Sequence, residues 1–169
     1  MREPTAAELS RIAVVQEEFR AYWKAANQPS YKFEGAREDV QALDYLDYEL
    51  GYPKSEYQGA AFIWGEVLRR HYPLLQWRIG DEGEWFLVAD DFPSYSIWPY
   101  ARIVETQNSS IPQFGKYQIL TEKTVVDFLL FSDLDDDAQG RLKSLIDWDY
   151  YGDFMLPLKH LVSKLSAAQ

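Results

Sequence analysis

The chain has 169 residues, 47% of them hydrophobic, with 17 basic and 27 acidic side chains, a formal charge of -10 and no cysteine. That length suits one domain spanning residues 1–169, able to bury roughly 70% of its unfolded surface. The composition excludes wholesale disorder, disulfide scaffolds, thiolate metal sites and cysteine nucleophiles, and so acidic a chain repels duplex nucleic acid.

The opening Met1-Arg2-Glu3-Pro4-Thr5 lacks the basic start and apolar run of a signal peptide. No stretch approaches the roughly 20 apolar residues that cross a bilayer, so a cytoplasmic protein without a membrane partner is expected. Thr5-Ala6-Ala7-Glu8 forms a capping box, in which the threonine oxygen accepts from the Glu8 amide and the Glu8 carboxylate reaches back to the Thr5 amide. Leu9, Ile12, Val15 or Gln16, Phe19 and Tyr22 or Trp23 then recur at helical spacing until Asn27-Gln28-Pro29.

A second helix is predicted from about Arg37 to Leu50, with Val40, Leu43, Leu46 or Asp47, and Leu50 on one face. Glu38 and Asp39 suit its positive end, Gly51 suits the left-handed position that ends it, and Tyr45 and Tyr48 border the apolar stripe. A third helix runs from about Ser55 to His71. Gly59 and Gly65 inside it each cost up to roughly 1 kcal/mol against alanine, which predicts the close packing of another backbone there.

The pattern then changes. Leu75, Trp77 and Ile79 alternate with polar residues, Asp81-Glu82-Gly83 forms a turn, Trp85–Ala89 returns, and Tyr95–Trp98 reads as a third strand. Pro99 opens a short helix through Thr106, and Gln107–Gly115 reads as a loop. Lys116–Leu120 reads as a strand, and Thr121–Phe131 fits a helix or a long strand, since periodicity does not separate the two. Helices are predicted again over Asp133 to about Trp148 and over Leu156–Leu165. The expected fold is α+β: an antiparallel sheet of three to four strands packed against N-terminal helices, with further C-terminal helices.

Catalytic signatures are sparse. Asp133, Asp135 and Asp137 occupy calcium-loop positions one, three and five, but Ala138 and Ser144 stand where glycine and a bidentate glutamate belong, so helix capping explains the acids better. His71 and His160 sit in no metal or nucleophile pattern. No cofactor is expected. Glu66, inside an apolar helix, reads as an ion-pair partner of Arg69, Arg70, Arg78 or Arg102. In the alternative, it joins Asp90, Asp91 and Trp98 in an aromatic-lined pocket that binds or hydrolyses a small ligand.

Aromatic residues reach 16%. From Asp127 to Asp153 there are eight acidic and two basic residues. Asp147, Trp148, Asp149, Tyr150, Tyr151 and Asp153 interleave carboxylates with rings, an arrangement that suits a basic protein partner. Rings exposed for self-association would be a third role, and the oligomeric state is not fixed by the sequence.

The stretch Tyr45-Leu46-Asp47-Tyr48-Glu49-Leu50-Gly51, then Ala60 to Leu68 with Gly65-Glu66-Val67-Leu68, is followed by Leu75-Gln76-Trp77 and by Ser96-Ile97-Trp98-Pro99-Tyr100-Ala101-Arg102-Ile103. Over about residues 40–106 this resembles a family of uncharacterised bacterial domains that carry a G-E-x-L-like helix followed by a tryptophan-bearing hairpin. Some domains of this kind look like immunity proteins. The resemblance implies a bacterial, non-enzymatic protein-binding module and transfers no catalytic residue.

Overall fold

A computed structural model describes residues 1–25, 33–36, 38–51, 53–71, 75–89, 96–109 and 115–131. The order is α1 (Ala6–Ala25), α2 (Glu38–Leu50), a 3₁₀ turn (Lys54–Glu56), α3 (Tyr57–His71), β1 (Leu75–Ile79), β2 (Trp85–Ala89), β3 (Ser96–Ile97), α4 (Pro99–Asn108) and α5 (Lys116–Phe131). The architecture is α+β, with an antiparallel sheet in the order β1-β2-β3 and helices before and after it.

Helix α3 is the hub, packing against α1, α2, α4 and β1. Its run Ala60-Ala61-Phe62-Ile63-Trp64 is fully buried, so it is apolar nearly all round rather than along one stripe. Both of its glycines are sites of close approach, but by side chains rather than by the backbone expected from the sequence. A Cβ on Gly59 would lie 2.7 Å from the Phe19 Cβ of α1, and one on Gly65 would lie 2.5 Å from the Trp77 ring of β1. Phe62, Trp77 and Trp85 then meet edge to face, with centroids 5.5–5.9 Å apart.

Local signals set the ends of several elements. The capping box of α1 forms as spaced, with the Thr5 amide donating to Glu8 Oε2 at 2.8 Å and the Glu8 amide donating to Thr5 Oγ1 at 3.3 Å. The guanidinium of Arg2 adds two further bonds to Glu8 and, with Thr5, holds its carboxyl down to about 2. Gly51 ends α2 at φ 66°, and Gly83 closes the β1–β2 hairpin at φ 89°.

Two segments differ from expectation. Gln107 and Asn108, assigned above to a loop, complete α4. Lys116–Leu120 is not a strand but the first turns of α5, which runs unbroken to Phe131. The cause is tertiary: Asp44 of α2 accepts hydrogen bonds from the Tyr117 and Gln118 amides at 2.6 and 3.3 Å, capping the start of α5 from 73 residues away. The C-terminal helices expected over Asp133–Trp148 and Leu156–Leu165 lie outside the described residues.

Candidate functional site

Helix α2 carries three buried carboxylates, Asp39, Asp44 and Asp47, each 1–9% exposed. Asp39 Oδ2 accepts from the amides of Glu34, Gly35 and Ala36 at 2.7–3.2 Å, which fixes the loop before the helix. Asp44 caps α5, and burial pushes its carboxyl up to about 6. Lys116 Nζ lies 3.6 Å from Asp47 Oδ2, with both side chains at most 10% exposed. Beside them the Tyr117 hydroxyl, raised well above its ordinary value by burial, accepts from Gln107. Asp44, Asp47, Lys116, Tyr117 and Gln107 tie α2, α4 and α5 together and line none of the recesses described below.

The opposite side of α3 is open. A groove of about 610 Å³ runs between α1 and β1 under the N-terminal segment. Leu9, Ile12, Ala13 and Gln16 form one bank, Gln76, Trp77 and Arg78 the other, with Glu66 and Arg69 on the floor and Glu3 at the mouth. Leu9, which helical spacing groups with the core face, is 44% exposed here, while Ile12 and Phe19 are buried. A crevice of about 180 Å³ adjoins it through Gln16 and Glu66 and reaches the Asp39-braced loop.

Glu66 occupies the junction. Its Oε1 accepts from Trp77 Nε1 at 2.7 Å and from Arg69 Nε at 3.0 Å, and its Oε2 accepts from Arg69 Nη2 at 2.9 Å. The expected pairing with Arg69 is therefore present as a two-point fork, and the pair raises the guanidinium's affinity for its proton. Three donors on two oxygens make Glu66 a brace between α3 and β1.

Trp98 is not among the residues of this groove. Strand alternation puts Ile97 on the inner face and Trp98 on the outer one, where its ring packs on Phe86 at 5.6 Å and is 38% exposed. Tyr45 and Tyr48 are exposed as their position beside the stripe of α2 implied. Asp90 and Asp91, and the whole group Asp147, Trp148, Asp149, Tyr150, Tyr151 and Asp153, lie outside the described residues. Among the described residues no three His, Asp or Glu side chains converge as metal ligands, and no helix is long and apolar enough to cross a membrane.

Sequence reading missed the burial of Asp39 and Asp44 and the groove, and offered Asp47 only as an alternative to Leu46 on the apolar face. The acids share the helical face of Leu43 and Leu46, which spacing reports without saying what they will meet. The groove is formed by segments distant in the chain, and its only local sign was an apolar Leu9 next to the capping box. Compared with known proteins, the chain matches no family model, no curated protein and no solved structure.

Proposed function

We propose that the protein is a non-enzymatic, protein-binding module of the immunity-like type, and that the groove between α1 and β1 is a docking site for its partner. The observation behind this reading is the make-up of the groove: an exposed apolar bank on a helix, an edge strand opposite, and charged groups fixed on the floor. Glu66 supports it too, because a carboxylate engaged by three donors positions its neighbours rather than shuttling protons. On this reading the acidic, aromatic run Asp147–Asp153 is a second contact, for a basic region of the same partner. The small-ligand alternative keeps one argument, that about 610 Å³ also falls in the size range of small-molecule sites.

The two separate cleanly by photo-crosslinking in cells that naturally contain the protein. Replacing Leu9 with a benzophenone amino acid is expected to give one recurrent protein adduct, with Tyr48 replaced in the same way as the off-site control. A groove that yields no protein adduct, or yields the same adducts as the control, sinks the docking-site reading.

A further inference from the structure

We infer that the partner docks by strand addition: an extended segment bearing a carboxylate pairs antiparallel with Leu75–Trp77 of β1 and lies along the groove. This rests on the protein-binding reading above and specifies its mode and its chemistry.

The hydrogen-bonding direction of β1 follows from its ends. Gly80 pairs inward, its amide donating to Glu84 O at 2.8 Å, so alternate residues 78 and 76 also face β2. Residues 79, 77 and 75 therefore point their main-chain groups away from β2, toward the groove side. The chain itself demonstrates that this edge accepts a strand. Arg2 exchanges both main-chain bonds with Ile79, each at 2.9 Å, as an antiparallel bridge.

That pairing stops after one residue. In antiparallel count residue 4 would face Trp77, but Pro4 has no amide to donate and Thr5 begins the cap of α1. Among the described residues no main-chain group pairs with Trp77 or Leu75 on this edge; the Trp77 carbonyl accepts from Arg78 Nη1 at 3.0 Å. An added strand would take up the register where Pro4 leaves it, with alternate side chains against Leu9, Ile12 and Ala13.

Charge selects the occupant. The groove lining holds two carboxylates, Glu3 and Glu66, and two arginines, Arg69 and Arg78, so it is neutral in a chain whose formal charge is -10. Arg69 is held by Glu66 through Nε and Nη2, is 41% exposed, and has no partner for Nη1 among the described residues. A guanidinium fixed on the groove floor favours a carboxylate on the incoming segment. A single extended chain fits a recess between a helix and a strand.

The test is selection of a random decapeptide library on the immobilised full-length chain, followed by synthesis of the enriched peptide. Alternating apolar residues with Asp or Glu at a fixed register are expected. NMR should show exchange of the Trp77 and Leu75 amides slowed at least about tenfold by the peptide, and N-methylation of the facing peptide amide should weaken binding about tenfold. Replacing the peptide's acid with its amide should weaken binding about fivefold on the wild type and not at all on Arg69→Gln. A peptide that protects groove residues yet tolerates N-methylation at every position overturns strand addition and leaves the docking site standing. Protection that appears without peptide and grows with protein concentration makes a second copy the occupant and overturns the proposal. No groove-binding peptide at all overturns both.

Discussion

The two sides of α3 use the same chemical parts to opposite ends. On the α2–α5 side, carboxylates and a lysine are sealed from water, with Asp44 2% and Lys116 8% exposed, and they fasten helices. On the α1–β1 side, Glu66 and Arg69 form a fork with side chains 24% and 41% exposed, at the floor of an open groove. Burial alone converts such groups from removable surface contacts into obligatory ones, because a sealed charge has no water to fall back on. The sealed side is the fastening and the open side is what remains available.

The contrast breaks most visibly at Trp64. It is wholly buried, and its Nε1 donates to Thr121 Oγ1 at 2.9 Å, joining α3 to α5. Trp64→Ala is expected to cost about 3–5 kcal/mol, read from urea unfolding, by leaving a cavity and removing the hydrogen bond that joins α3 to α5.

Asp44 sharpens the contrast through pH. Its folded carboxyl sits at about 6 because of burial, above the unfolded value of about 4. The folded state therefore holds this proton more tightly. The contribution is present in full below about pH 4 and is lost as pH rises through about 6. Asp44→Asn should gain about 2–3 kcal/mol on the wild type between pH 4 and pH 7. Parallel stability–pH curves for the two proteins would refute the sealed position of this acid.

The smallest effect belongs to the open side. Glu66→Gln keeps an acceptor for Trp77 Nε1 and loses a half-solvated ion pair, so a cost of about 0.5–1 kcal/mol is expected. A loss as large as that of Trp64→Ala would mean that the groove floor is core.

What was legible in the sequence was whatever neighbours in the chain decide for themselves. The Thr5–Glu8 capping box, the Gly51 helix stop, the Asp81–Gly83 turn and the proline start of α4 each depend on a few adjacent residues, and each is found where it was expected. Gly59 and Gly65 announced tight packing, but the groups that approach are the Phe19 and Trp77 side chains rather than a backbone. The start of α5 was misread because its cap comes from Asp44, and no pattern within 116–131 reports an acceptor on another helix. Arg69 stood among four candidate partners of Glu66 because helical spacing puts the two side by side, but the choice of Arg69 and the bond to Trp77 required the tertiary fold.

The glycines of α3 have a mechanical corollary. Phe19 of α1 presses on Gly59, Trp77 of β1 presses on Gly65, and the helix and strand so seated are the two walls of the groove. The gap between those walls is thus calibrated by two absent methyl groups on a single helix. Adding either methyl would shove one wall outward by a fraction of a bond length or more, so evolution or design could retune the width of the cleft without touching any residue that lines it.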